Sequence, residues 1–362
     1  MATTPLVSVV TPVYNGERYL AEAIESVLAQ TYPHWEYVIV DNASTDRTGA
    51  VAQRYAARDA RIRVVTNAAT VGVIENHNLA FAEISPAATY VKPLHADDWL
   101  FPECLARMVD AAERHPSVGL VSAYALVNGW VDLDGLPYPS TRVPGRQLAR
   151  LCLIGGPYVF GSPSSILLRA DVVRRRQPFF DPGSIHADEA ACYEVLQDAD
   201  FGFVHQVLTA TRKHARTVSA SFADRVNSYL AGNLRILKRY GPAFLSQAEY
   251  RRRLDQRMDE YYRFLARRFL TGCGRDVWDY HVRALASLGC PLSGTRLATA
   301  IVTDLVRLLA SPGPIVARLA ARLRRSGAPS GDTALVDENR AQWRQKDAER
   351  VAVERVLPKS GA

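Results

Sequence analysis

The sequence predicts an α/β protein: a mainly parallel sheet with flanking helices, followed by a helical C-terminal region. Three observations predict it. Short apolar runs alternate with amphipathic stretches of helical period through the first third of the chain. Acidic or turn residues close several of those runs, at the strand ends where open α/β sheets bind ligands. From about residue 220 the strand pattern stops and only helical periodicity remains.

Taken in order, Val7-Ser8-Val9-Val10 is a buried-type strand that ends in Thr11-Pro12. Tyr14-Asn15-Gly16 is the turn into a helix whose Leu20, Ile24, Val27 and Leu28 share a face. Trp35 to Val40 is a second strand, broken at Asp41-Asn42. Ser44-Thr45-Asp46 then offers caps for a helix carrying Val51 and Tyr55. A strand at Ile62 to Val65, a helix over 73–83, a strand at Ala88 to Leu94, a helix from Pro102 and a strand at Val118 to Ser122 continue the alternation. A glycine-rich stretch, residues 155–163, precedes one more strand at Ile166 to Leu168.

In the helical region Val226, Leu230, Leu234 and Leu237 share a face, and Gly241-Pro242 reads as a helix stop. Ser246 and Glu249 have the spacing of a capping box, opening a helix with Tyr250, Leu254, Met258, Tyr261, Leu265 and Phe269 at core positions. Leu297 to Leu309 is a further amphipathic stretch, followed by an Arg-rich segment to Arg325 and a polar tail. The expected organisation is therefore 1–220 catalytic, 221–325 basic and helical, and 326–362 a tail with partly disordered composition.

Charge divides along the same line. The 362 residues carry a net +7, yet residues 1–220 sum to −4 and residues 221–362 to +11. The basic residues are spread over helices without interleaved aromatics, which argues against nucleic acid as the partner. Five scattered cysteines without C-x-x-C spacing argue against a disulfide framework or a zinc site. No charged-then-apolar signal segment opens the sequence, and a cytoplasmic chain is expected.

The chemistry concentrates in His95-Ala96-Asp97-Asp98, directly after an apolar strand. Adjacent carboxylates are poorly suited to a core, because both charges would be desolvated. They suit a divalent cation such as Mg²⁺ or Mn²⁺, which takes one or two carboxylates and completes its shell with phosphate oxygens and water. Asp98 reads equally as a second ligand or as the cap of the next helix. Thr11 to Tyr14, Asp41 and Asp97 all lie at strand ends and can meet in one site.

Val-Val-Thr-Pro-Val-Tyr-Asn (9–15), Val-Asp-Asn-Ala-Ser-Thr-Asp (40–46) and His-Ala-Asp-Asp (95–98), in that order, resemble the hallmark motifs of the inverting family 2 glycosyltransferases with the GT-A fold. The likeness covers residue 5 to about 220. It implies that Pro12 and Tyr14 line a nucleotide base with Thr11 beside them, that Asp41 accepts a hydrogen bond from the base, and that Asp97 holds the metal. Asn78, His95 and Asp97 would complete the nucleotide-sugar site, and Asp98 and His214 the metal site. In Thr211-Arg212-Lys213-His214, the basic pair would also suit phosphate. Without the resemblance, Pro12 and Tyr14 read as a strand end and a turn aromatic.

Several positions depart from the family pattern: His77 precedes Asn78 where an Arg is usual, Asn42-Ala43 stands for an acid and a glycine, and His95 stands for an acid expected at the ribose or metal. An imidazole still ligates or bonds a hydroxyl, but brings no negative charge.

For the catalytic base, Phe180-Asp181-Pro182 followed by Ala187-Asp188-Glu189 resembles the family's turn and acidic helix start, with Asp188 at the base position and Ala187 in place of the usual Glu. The resemblance implies that Asp188 deprotonates the acceptor hydroxyl in a single displacement; Glu189 is the rival one residue later, and an acid favouring the helix dipole is the plainer reading of either. Tyr158 and Phe160 are expected near the acceptor.

The implied activity is glycosyl transfer from a nucleotide-diphospho-sugar, UDP- or dTDP-linked, to a saccharide or lipid-linked acceptor in cell-surface polysaccharide or glycolipid assembly. Two alternatives stay open: a nucleotidyltransferase acting on sugar phosphates, although Thr11 to Gly16 lacks the basic residue such loops display, and a non-catalytic sugar- or nucleic-acid-binding module. Leu297, Ile301, Leu305 and Leu308, followed by Arg318, Arg322, Arg324 and Arg325, would suit peripheral contact with the inner membrane face; packing inward is the competing and commoner fate of such a stripe.

Overall fold

The computed structural model of the chain describes residues 4–212 and 223–310. They belong to two compact units, divided between Ala215 and Arg216.

The first unit opens with β1 (Val7–Val13), α1 (Leu20–Leu28), β2 (Trp35–Asp41), α2 (Thr48–Ala56), β3 (Ile62–Thr66), α3 (Val73–Ala82), β4 (Tyr90–Pro93), the two-residue β5 (Trp99–Leu100) and α4 (Cys104–Glu113). It continues with β6 (Val118–Val127), β7 (Trp130–Asp132), β8 (Arg142–Val143), α5 (Gly145–Leu153), β9 (Ile166–Arg169), α6 (Ala170–Arg174), α7 (Ala187–Val195) and β10 (Asp200–Thr211). The sheet order is β3-β2-β1-β4-β9-β6-β10-β5. Strands β1, β2, β3 and β4 are mutually parallel, as the alternating pattern requires.

Strand β1 is buried along its whole length because helices cover both faces of the sheet. Val7, Val9 and Val13 join Tyr37, Ile39 and Tyr90 in a core with Leu20, Ile24 and Val27 of α1 and Leu105 and Met108 of α4. Truncating Ile24 to Ala would cost about 2–5 kcal/mol, the range for a fully buried aliphatic side chain. Val10, Val38 and Val40 are equally buried, and α3 packs on β1 and β2.

Inside the sheet β9 breaks the parallel pattern, running antiparallel to both β4 and β6; the short strands β5, β7 and β8 also pair antiparallel, with β10, β6 and β10 respectively. A tight turn at Pro163–Ser165 reaches the carboxyl end of β4, so the strand after it must run back down the sheet. Lys92 holds that turn by donating to the carbonyls of Ser164 and Ile166, and the His95 amide donates to Ser164 Oγ at 2.9 Å. Gly161 precedes it with φ of 74°, and a Cβ there would lie 2.6 Å from the Ser165 side chain.

The described part of the second unit is helical: α8 (Asp224–Val226), α9 (Tyr229–Phe244), α10 (Gln247–Thr271), α11 (Arg275–Ser287) and α12 (Gly294–Ala310). The capping box forms as expected, Ser246 Oγ accepting from the Glu249 amide while the Glu249 carboxylate accepts from the Ser246 amide. Two expectations fail. Helix α9 runs through Gly241-Pro242 to Phe244, because the proline falls in the last turn, where Leu245 N–H still reaches the Gly241 carbonyl at 2.8 Å. Gly241 serves packing instead: a Cβ would meet the Tyr250 ring at 2.5 Å. Phe269 is 60% exposed, whereas Met258, Tyr261, Tyr262 and Leu265 form the core with Leu234 and Leu285.

Helix α12 turns Leu297 and Ala300 to that core and buries Asp304 against Arg267, leaving Val302, Leu305 and Val306 exposed. Among the described residues no helix is long and apolar enough to cross a membrane. The Arg-rich segment and tail lie outside the described residues.

Candidate active site

The predicted strand ends converge. Register pairs Pro12 with Val40 and Val13 with Asp41, so the first two motifs sit side by side at the carboxyl ends of β1 and β2. Tyr14 projects beyond them, half exposed. The two loops lock together: Asn15, at φ of 50°, accepts the Thr45 amide on its side chain at 2.9 Å, and its own amide donates to Ser44 Oγ at 2.9 Å. Asp41 is buried, with Oδ1 accepting from the Ser44 amide at 3.1 Å. Asn42 accepts the Val71 amide, donates to the Val71 carbonyl and receives Asn67 Nδ2, which also reaches Asn76. That buried amide cluster orients the loop leading into α3.

Two residues assigned to nucleotide-sugar binding have their polar atoms turned elsewhere. Thr11 is fully buried; its hydroxyl donates to the Leu94 carbonyl at 2.7 Å and, having one proton, must accept from Tyr37 Oη at 2.8 Å. It anchors the start of the His95–Asp98 loop. Asn78 spends its whole amide on Phe180, Nδ2 donating to the carbonyl and Oδ1 accepting the N–H, both at 2.8 Å. It tethers α3 to the segment that leads to Asp188.

The third motif forms the charged centre. One ligand atom from each of His95, Asp97 and Asp98 falls within 4.8 Å of the others. Asp98 is not a helix cap, since α4 begins only after Glu103. Its Oδ1 accepts the Arg212 amide at 3.0 Å, while Oδ2 is buried without a hydrogen-bond partner, 3.8 Å from His95 Nδ1. Burial pushes the Asp98 carboxyl above its usual range; His95, the Ser164 hydroxyl and the Arg212 amide oppose this and Asp97 reinforces it. A buried, unpaired carboxylate oxygen is costly unless a cation meets it. The residues present therefore fit a divalent ion.

Arg212 has its guanidinium on Glu22 at 2.7 Å and over the rings of Tyr19 and Trp99. His214 and Lys213 lie outside the described residues.

Asp188 sits in the first turn of α7, half-buried. Burial raises its carboxyl pKa, opposed by the Glu189 amide, His186 and His95. His95 thus acts electrostatically on both Asp98 and Asp188, so the expected base lies within electrostatic reach of the carboxylate centre. Tyr158 stands near them: the residue is 45% exposed, yet desolvation of its phenol, then the charges of Asp188 and Glu189, raise it above its usual value. Its hydroxyl donates to the Gly161 carbonyl at 2.9 Å. Phe160, expected beside the acceptor, is fully buried and packs edge-on against Tyr193 and Phe201.

Sequence reasoning missed the roles of His77, Lys92 and Ser164. The His77 ring meets His95 nitrogen to nitrogen at 3.1 Å, and burial first, then His95, pulls its pKa down to about 4. Its only sequence signal was its departure from the expected Arg.

The profile of glycosyl transferase family 2 matches residues 8–176. An uncharacterized glycosyltransferase of Haemophilus influenzae is 30% identical over 233 residues, which cover 63% of this chain and 71% of that protein. The chain belongs to glycosyltransferase family 2. The chain is also 34% identical over 178 residues to the putative glycosyltransferase EpsE of Bacillus subtilis, covering 48% of this chain and 60% of EpsE. It is 43% identical over 94 residues to the putative teichuronic acid biosynthesis glycosyltransferase TuaG of Bacillus subtilis, 26% of this chain and 36% of TuaG. The match thus leaves more than a third of EpsE and of TuaG unspanned.

Among solved structures, S. aureus TarS 1–349 in complex with UDP superposes with a TM-score of 0.57 at 17% identity, covering 82% of this chain and 87% of that one. Mannosyltransferase PcManGT from Pyrobaculum calidifontis, in complex with GDP-Man and Mn²⁺, gives 0.50 at 16% identity, covering 98% and 87%. At such identity these likenesses establish the GT-A fold of the chain and nothing finer. The family match ends before Asp188.

Proposed function

We propose that this chain transfers a sugar from a nucleotide-diphospho-sugar to an acceptor hydroxyl with inversion, in cell-surface polysaccharide or glycolipid assembly. The observation that carries the reading is the orphaned Asp98 oxygen grouped with His95 and Asp97 at the end of β4. UDP or dTDP is the expected carrier; the solved relatives bind UDP in one case and GDP-Man in the other. The polysaccharide context draws on TuaG.

Asp97, Asp98 and His95, with His214 as a further expected ligand, would hold a divalent cation, Mg²⁺ or Mn²⁺, which would supply neutralisation of the leaving diphosphate. The protein's own residues supply the rest. Pro12 and Tyr14 flank the base and Asp41 accepts a hydrogen bond from it, while Thr11 and Asn78 hold the loops that carry His95 and Asp188. Asp188 accepts the acceptor hydroxyl's proton as that oxygen bonds the anomeric carbon on the face opposite the diphosphate. The bond from the anomeric carbon to the diphosphate oxygen breaks, the nucleoside diphosphate leaves with the electron pair, and the configuration inverts. The raised Asp188 pKa makes it a stronger base than an exposed carboxylate.

Incubating the purified chain with UDP-, dTDP- and GDP-sugars and Mn²⁺ tests the reading through release of nucleoside diphosphate. Formation of nucleotide-sugar from a nucleoside triphosphate and a sugar phosphate would replace it with nucleotidyl transfer. A lipid-linked acceptor would also require approach to a membrane, for which the exposed Val302, Leu305 and Val306 of α12 are suited. Replacing all three with Ser should reduce co-sedimentation with anionic liposomes at low salt; unchanged pelleting would remove α12 from that role.

A further inference from the structure

His77 and His95, 18 residues apart, meet at one face of the cation site. Their hydrogen bonds constrain which nitrogens carry protons. His77 Nδ1 lies 2.8 Å from the Val73 carbonyl one turn earlier. A carbonyl only accepts, so the proton is on Nδ1 of His77, and a neutral His77 has a bare Nε2. That Nε2 lies 3.1 Å from His95 Nε2, so His95 Nε2 carries the proton and donates it. In a neutral His95 the remaining nitrogen, Nδ1, then holds a lone pair.

That lone pair stands beside the orphaned Asp98 oxygen. His95 Nδ1 is 3.8 Å from Asp98 Oδ2, too far for a hydrogen bond. It is a suitable separation for two donors on one ion, which at roughly 2.1 Å each lie about 3–4 Å apart. The support behind the ring is extensive. The His95 amide is tied to Ser164 Oγ at 2.9 Å, the two imidazoles stand edge to face at 87°, and His77 packs edge-on against Phe180 at 5.8 Å. Asn78, the next residue on α3, pins the Phe180 backbone.

We propose that His77 is a positioning residue: by accepting the His95 Nε2 proton it fixes the tautomer whose Nδ1 joins Asp97 and Asp98 as a cation donor. The inference rests on the cation site of the proposed function. It specifies that site further. An imidazole in place of a carboxylate lowers the ligand charge by one and raises the preference for Mn²⁺ over Mg²⁺, since nitrogen donors favour the transition ion.

The test is Mn²⁺ binding followed by electron paramagnetic resonance in the presence of UDP, without turnover. His77→Phe, which keeps a ring and removes the acceptor, should weaken Mn²⁺ binding about 10–100-fold, the usual range for loss of a ligand's supporting partner. His77→Gln, whose amide oxygen can accept the His95 proton, should stay within about threefold of wild type. His95→Asp should shift preference toward Mg²⁺. In ¹⁵N NMR of the metal-free protein, His95 Nδ1 should report a bare nitrogen; a protonated Nδ1 overturns the proposal even if His77→Phe fails to fold. If Asp97→Ala weakens Mn²⁺ binding while His77→Phe leaves it unchanged, the cation site stands and the role of His77 falls. If Asp97→Ala has no effect either, the cation site itself is wrong.

Discussion

Two histidines, one in each unit, show how the same side chain is used for opposite purposes. His281 in the helical unit is fully buried and both ring nitrogens are spent: Nε2–H donates to the Val226 carbonyl and Nδ1 accepts from Tyr261 Oη, each at 2.7 Å. His95 in the sheet unit spends one nitrogen on His77 and turns the other toward Asp98 Oδ2. A buried polar group with every bond made contributes to the fold. One left facing an unsatisfied oxygen, lone pair toward lone pair, is arranged for something that arrives later. The acids divide likewise: Asp304 is paired with Arg267 at 3.2 Å, whereas Asp98 keeps one oxygen without a partner.

The sharpest way to break this comparison is at the chemistry. Asp188→Asn should keep donor affinity and lower kcat by roughly 10²-fold or more, since only the proton acceptor is lost. Steady-state kinetics beside calorimetric UDP binding checks this, and a larger loss in Glu189→Gln would move the base one residue on. Asp97→Ala comes next. Cation-dependent UDP affinity should disappear while the thermal midpoint hardly moves, because a partly exposed loop carboxylate contributes little to stability. Unaltered UDP affinity in Mn²⁺ would remove Asp97 from the site.

His281→Phe provides the converse. It strands Tyr261 Oη and the Val226 carbonyl, at a cost of about 1–3 kcal/mol, and should lower the thermal midpoint without touching Mn²⁺ affinity. An altered cation affinity would mean that the two units do not divide their labour this way.

The smallest expected effect concerns pH. The Asp98 pKa is raised in the folded chain, so the unfolded state releases this proton more readily. Asp98 therefore disfavours folding at neutral pH, and this contribution is relieved as pH falls through the raised folded value toward the ordinary carboxylate pKa. Thermal midpoints of wild type and Asp98→Asn should accordingly converge on acidification in metal-free buffer, with the Asn variant the more stable at neutral pH. Added Mn²⁺ should reverse that order.

Much of this architecture was legible in one dimension, because strand and helix periods are local. Val7 to Val10 and Trp35 to Val40 pair in the parallel register their buried pattern implies, and Ser246 and Glu249 cap α10 through atoms three residues apart. Asp41 closes β2 and Asp97 follows β4, as one topological rule about strand ends leads one to expect. Where reading failed, a distant neighbour decided. Pro242 sits in the last turn of α9 because its helix ends only at Phe244, and Phe269 faces outward because the core of its helix lies along Met258, Tyr261 and Leu265.

The sequence alone thus determined the α/β order, the helical region and the three motifs, all properties of short segments whose period and composition carry the information. Tertiary structure alone decided what each polar atom does, because a hydrogen-bond partner is a property of space. Thr11 serves the Leu94 carbonyl across 83 residues, Asn78 serves Phe180 across 102, and Asp98 receives the Arg212 amide across 114. The tautomer of His95 belongs to the same class. It depends on a proton held by His77, which only the packing of α3 beside the end of β4 brings within reach.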